Sequence, residues 1–253
     1  MSEISVARDG HVAIVTIDRP PHNHVSVELM RELADTLNGV GADRDLRATV
    51  LQTEGKSFCA GADLVAGIAS RGVDGVDSLY VEAVRLFSAK KPIVAAIQGA
   101  AVGAGLGLAL VADFRVAAPE ARFVANFVKL GFHPGFGITH TLPRLIGHQH
   151  AARMCLTGRR VKGDEAVAWG LADQLAPLDR LRETALALAR EIAENAPLAV
   201  EATRATLRAD LAKAVKAQTE IELAIQTRLR KTADYAEGVR AVAERRPGKF
   251  VGA

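Results

Sequence analysis

Nineteen residues, Pro92 to Leu110, constrain the fold more than any other stretch: PIVAAIQGAAVGAGLGLAL. Ile93, Val94 and Ile97 make a short apolar run of β-formers that reads as a buried strand. A turn of glycines and small residues follows, then the apolar start of a helix. Strand, tight turn and helix together aim unpaired backbone N–H groups at whatever sits before the helix. Small side chains from 99 to 107 let another group come close to the backbone. The stretch reads either as half of an anion or oxyanion site or as close helix–sheet packing. A dinucleotide fingerprint does not fit, because after Gly103 and Gly105 the third small position falls on Leu108.

Around this stretch the chain alternates strand and helix up to about residue 176. Residues 3–7 and 11–18 read as strands joined at Asp9-Gly10, a hairpin signal. Ser26 is a plausible N-cap for a helix carrying Leu29, Leu33 and Leu37 on one face. Arg47–Thr53 reads as a strand that leaves through Glu54–Leu64, a small-residue turn. Residues 66–78, with scattered glycines, read as mobile, and Leu79–Ala89 as helical. Further strands fall at 113–118, 122–125 and 171–175, a rigid loop at Gly131–Gly137, two short helices near 138–146 and 148–157, and a helix at 165–169. From Asp179 the pattern is helical, broken at Asn195-Ala196-Pro197. This is an α/β core with a helical C-terminal appendage.

Composition narrows the function classes. The 253 residues suffice for one sizeable domain or a domain with an appendage. No apolar run reaches the ~20 residues of a membrane span, and the first eighteen residues lack the pattern of a secretory signal. Two distant cysteines, Cys59 and Cys155, give neither a disulfide framework nor metal-ligand spacing, so both read as reduced thiols of a cytoplasmic protein. A net charge of +3 permits an anionic small ligand, but no Lys/Arg block marks nucleic-acid binding.

Several motifs stand in order: Phe58-Cys59-Ala60-Gly61-Ala62-Asp63-Leu64, the glycine stretch about forty residues on, Gly131-Phe132-His133-Pro134-Gly135-Phe136-Gly137, Leu142–Gly147, Thr157–Arg160, Glu165–Asp173 and Glu244-Arg245-Arg246-Pro247. The ordered set resembles the crotonase, or enoyl-CoA hydratase/isomerase, family over nearly the whole chain. The resemblance implies a crotonase-like spiral of repeated ββα units over 1–195 and a C-terminal helical trimerisation region over 196–253. It implies a homotrimer or dimer of trimers, acyl-CoA thioesters as ligands, coenzyme A entering as part of the substrate, and no separate cofactor or metal. The N–H groups of Ala62 and Ala104 fall where members hold the thioester oxygen. The carbonyl of Ala60 and the N–H of Leu64 fall where members hold the adenine. Such a donor pair stabilises an enolate oxygen more in the transition state than in the ground state.

The chain also departs from the pattern. The two glutamates that hydratases use fall on Gly107 and Phe127, neither of which moves a proton, so efficient hydration is not expected. His133 is the ionisable candidate that remains in the acyl-facing loop, as base or acid; a loop histidine bonded to backbone is its other reading. Isomerisation, decarboxylation or hydrolysis suit one base better than hydration does. Alternatives are an acyl-CoA or β-diketone hydrolase using His133, and a non-catalytic acyl-CoA-binding protein. Lys56, Arg71, Lys249 and Phe250 are candidate contacts for CoA. Trp169 reads as core, and Asp63 and Asp113 as backbone-bonding carboxylates.

Overall fold

The computed structural model describes residues 2–62 and 72–253, and for residues 72–78 the backbone only. The chain opens with a hairpin, β1 (Ile4–Asp9) and β2 (Val12–Ile17), followed by α1 (Val27–Ala42). Gly10 takes the positive φ of the turn, as the Asp9-Gly10 signal requires. Ser26 caps α1 by accepting from the Leu29 N–H at 3.1 Å.

Next come β3 (Ala48–Thr53), β4 (Ser57–Cys59) and α2 (Gly72–Phe87), then β5 (Ile93–Ile97), β6 (Ala100–Val102) and α3 (Ala104–Val111). The third repeat is β7 (Phe114–Ala117), β8 (Arg122–Val124), a 3-10 turn at Asn126–Leu130, and α4 (Ile138–Thr157). β9 (Arg160–Lys162), α5 (Gly163–Ala168) and β10 (Gln174–Leu175) close the sheets, and α6 (Leu181–Ala193), α7 (Pro197–Leu207), α8 (Leu211–Leu229) and α9 (Ala233–Ala243) complete the chain.

Consecutive strands of each repeat turn a corner and join different sheets. β1-β2-β3-β5-β7-β10 form one sheet and β4-β6-β8-β9 the other. The ββα repeat is therefore a spiral: β3, β5 and β7 pair in parallel in the larger sheet while β4, β6 and β8 pair in parallel in the smaller. Alternation along the strands feeds two cores. Val15 and Leu51 face the main core with Leu29, Met30 and Leu33 of α1. Val12, Val50, Val94 and Val116 face the other side, where Ala185, Ala189 and Ala193 of α6 let that helix lie close on the sheet.

The structure corrects several expectations. Residues 72–78 belong to α2, so helix replaces the mobile stretch expected there; 66–71 lie outside the described residues. The two short helices read after Gly137 are borne out: they run on from one another within α4 and divide at Gly147, which sits at φ 72° and ψ 165°. The strand read at 171–175 pairs only at Gln174–Leu175. Trp169 is half-buried rather than core, because it stacks at 4.1 Å on His150 with Arg159 over its ring. Asp113 does accept from the Ile93 N–H at 2.8 Å, and it also holds Arg204 and Arg208 of the α7 end at 2.9 and 2.8 Å.

Candidate active site

The site forms where two neighbouring repeats meet. β4 and β6 pair with Cys59 beside Ala101, so the turns leaving these strands emerge side by side. Gly61 has φ +92°, and a Cβ there would lie 2.7 Å from the Val102 carbonyl oxygen and 3.7 Å from the Ala104 nitrogen. Only a glycine lets the first turn press this closely on the second. Outside it, the Val25 N–H donates to the Gly61 carbonyl at 3.0 Å, the His24 ring bonds the same carbonyl through Nδ1, and the Ala60 N–H donates to the His22 carbonyl. The loop histidines thus brace the turn. A carbonyl only accepts, so His24 carries its proton on Nδ1.

Ala104 is the first residue of α3, with Gly103 as its N-cap and no side-chain cap. Its N–H has no intrahelical acceptor. Neither the Ala104 nor the Ala62 N–H meets an acceptor among the described residues. Both residues line one cavity of about 90 Å3, together with Ala60, Gly103, Asn126, Phe127, Tyr80, Phe136, Gln226 and Arg230. The glycine stretch packs closely on the neighbouring turn, as one of its two sequence readings has it. Gly105 packs so closely on the β4 end that a Cβ would fall 2.0 Å from the Cys59 carbonyl oxygen, and the same packing presents the open start of α3 to the cavity.

The walls are aromatic and amide. Phe127 opens the cavity wall one residue into the 3-10 turn, with Phe132 6.2 Å away, ring to ring. Tyr80 of α2 donates to Gln226 Oε1 of α8 at 2.7 Å, and Gln226 Nε2 donates to the His133 carbonyl at 2.9 Å. Burial pushes the Tyr80 hydroxyl well above its usual range, so it stays protonated. No carboxylate lies among the described lining residues. Glu222 lies one turn before Gln226 on α8. It is fully buried and accepts from the Gly137 N–H at 2.7 Å, the Thr139 N–H at 3.1 Å and the Thr139 hydroxyl at 2.5 Å. Burial raises its pKa to about 7 against the pull of those three donors.

The sequence candidates fall as follows. Ala60, Ala62, Ala104 and Phe127 line the cavity. Gly107 sits one turn into α3 and is covered by Phe136. His133 is half-buried and is not among the lining residues; its Nδ1 faces the Pro134 carbonyl at 2.7 Å, leaving Nε2 unprotonated in the neutral ring. Leu64, Asp63 and Arg71 lie outside the described residues. Both thiols are held out of the reactive range by burial, Cys59 up to about 12 and Cys155 to about 11. Sequence reasoning missed Tyr80, Gln226 and Arg230, which no local motif marks. A groove of about 730 Å3 between α4, α6 and α7 is larger; it is lined by apolar side chains, the Asp113–Arg204–Arg208 cluster and the start of α7, whose N-cap Ala196 makes no side-chain bond. The smaller cavity is the one that gathers the sequence candidates Ala60, Ala62 and Ala104.

Comparison with known proteins agrees with this layout. The sequence profile of the family described as "Enoyl-CoA hydratase/isomerase" matches residues 7–253. The chain is 34% identical to 2,3-dehydroadipyl-CoA hydratase of Escherichia coli, over all of both chains. It is 33% identical to 1,2-epoxyphenylacetyl-CoA isomerase of the same organism, over 95% of each. Among solved structures, an enoyl-CoA hydratase/isomerase from Pseudoalteromonas atlantica superposes with a TM-score of 0.87 at 30% identity, over 99% of this chain and 100% of that one. The paired-sheet spiral, the two facing turns and these likenesses together place the chain in the enoyl-CoA hydratase/isomerase family.

Proposed function

We propose that this enzyme acts on acyl-CoA thioesters, with the Ala62 and Ala104 N–H groups holding the thioester oxygen as it gains enolate charge, and that hydration is not its efficient reaction. The observation that carries the reading is the pair of unspent amides on one small cavity, one of them at a helix start. Fixed donors at that spot favour developing negative charge without reorganising. Coenzyme A enters as part of the substrate, with the Ala60 carbonyl and the Leu64 N–H at the adenine.

Adding water across a double bond asks for groups that deliver a proton and activate water. The positions where the family resemblance puts them are Gly107 and Phe127, and the described lining holds no carboxylate. Each missing acid or base typically contributes about 10²–10⁴ in rate. A double-bond shift or loss of CO2 asks for one proton-moving group or none, and these are the reactions the cavity suits. The test is turnover of crotonyl-CoA beside a panel of β,γ-unsaturated and α-carboxylated acyl-CoAs. Hydration at an ordinary enzymatic rate of roughly 1–10³ s⁻¹ would overturn the reading.

The same reading takes the enzyme to be a cytoplasmic homotrimer or dimer of trimers. Leu198 and Leu207 of α7 stand 80% and 75% exposed beside the apolar groove, which supports a covered face. Among the described residues no helix is long and apolar enough to cross a membrane. Light scattering of the purified protein reads the subunit count directly, and a monomer would defeat the assembly part.

A further inference from the structure

We propose that Arg230 makes the cavity selective for acyl chains that end in a carboxylate. The inference deepens the acyl-CoA reading of this cavity and rests on it. Arg230 follows the last residue of α8 and is the one charged residue among the described lining residues. Its guanidinium stacks 5.2 Å from the centre of the Phe132 ring, and it has no carboxylate partner among the described residues.

Of the other polar side chains on the lining, Tyr80 and Gln226 are already engaged, and Asn126 carries no charge. Tyr80 is spent on Gln226, and the Gln226 amide on the His133 carbonyl. The wall beside Arg230 is otherwise Phe127, Leu130 and Phe132. An uncompensated cation against apolar surface is poorly hydrated and gains most from an anion that can accept two parallel N–H bonds. A neutral acyl chain reaching this wall leaves the guanidinium unpaired; a terminal carboxylate pairs it.

A purely structural role would also place an arginine here. Cations are favoured at helix C-termini, and stacking on Phe132 stabilises the α8 end. That role changes stability but cannot distinguish between acyl chains of one length.

The experiment is calorimetric binding of glutaryl-CoA and pentanoyl-CoA to the full-length protein. The two have the same chain length and differ in a terminal carboxylate against a methyl. The wild type is expected to prefer glutaryl-CoA by at least about tenfold, and the preference to shrink from low to high salt. In Arg230→Met, which keeps a stem over Phe132 without charge, the ratio falls to within about twofold of unity; Arg230→Lys keeps part of it.

A wild-type ratio near one, or an unchanged ratio in Arg230→Met, overturns the proposal. Equal weakening of both ligands assigns Arg230 to coenzyme A instead and overturns it too. If neither thioester binds the wild type, the acyl-CoA reading itself fails and takes this one with it. The salt dependence is read on the wild type alone, so a variant that does not fold leaves the test standing.

Discussion

Gly107 lies directly under the ring of Phe136: a Cβ on Gly107 would sit 2.5 Å from Phe136 Cδ1, and Phe136 is fully buried. The missing side chain at 107 is thus matched by a phenyl ring that occupies its space. Placing a glutamate at 107 and at 127 would not by itself make a hydratase, because at 107 the ring must first leave. Gly107→Ala is expected to destabilise the protein by about 1–3 kcal/mol through overpacking, even though alanine is the better helix former by up to ~1 kcal/mol. Urea denaturation measures it, and a variant as stable as the wild type would show that Phe136 yields freely.

Ala104 allows a clean deletion of one amide. Proline is tolerated at the first residue of a helix and has no N–H. Ala104→Pro is expected to lower kcat by about 10²–10³ on whichever acyl-CoA the wild type turns over, with little change in melting temperature. Unaltered kcat in a folded variant would remove this amide from the chemistry.

The Nδ1 of His133 is engaged with its neighbour's carbonyl and its ring is off the described lining. His133→Gln is therefore expected to change kcat by less than about tenfold, well short of the ~10²–10⁴ of a general acid or base. A larger drop, accompanied by loss of a pH–rate limb near neutrality, would return the ring to the mechanism.

Glu222 ties the loop before α4 to α8, and its pH dependence has a definite sign. Its folded pKa, about 7, lies above the unfolded value near 4.5. Below the unfolded pKa both states are protonated and the contribution is fully present. As pH rises toward 7 the unfolded chain ionises first, so stability declines by an amount on the order of a few kcal/mol and then levels off. Glu222→Gln should abolish that slope while costing about 1–3 kcal/mol, since its NH2 meets a backbone donor. Chemical denaturation of both proteins at several pH values from 4.5 to 7.5 reads this, and parallel curves would sink it.

Asp113 holds the buried Arg204 and the half-buried Arg208 of the α7 end to the end of the core sheet. Asp113→Asn leaves Arg204 and Arg208 without a counter-charge and is expected to cost about 3–5 kcal/mol. Thermal melts check it; a loss under ~1 kcal/mol would mean that solvent or another acid takes over.

What the sequence disclosed follows from how local each signal is. The hairpin at Gly10 and the Ser26 cap are written in consecutive residues and appear as read; the stretch from Pro92 does so only in part, because the strand β6 (Ala100–Val102) lies inside what reads as its turn. Ala62 and Ala104 were singled out by the family resemblance, and the structure sets both on one cavity. Tyr80, Gln226 and Arg230 were not. Tyr80 and Gln226 are 146 residues apart and meet only because α2 packs on α8, and nothing in the spacing of either helix marks an inward polar position as a wall. The extent of α2 was obscured for another reason: Gly72 and Gly75 are poor helix formers, and backbone propensity lost to tertiary packing.

The pairing of β4 with β6 has a wider implication. The gap between the two amides is set by how two extended segments line up, so no side chain owns it. Replacements at residues 62 and 104 can drift among small types without disturbing it, whereas adding or removing a single residue in either corner would slide one donor past the other. New reactivity in this scaffold would then arise by repainting the wall that carries Phe127, Phe136 and Arg230, while the half proposed to polarise the thioester stays fixed.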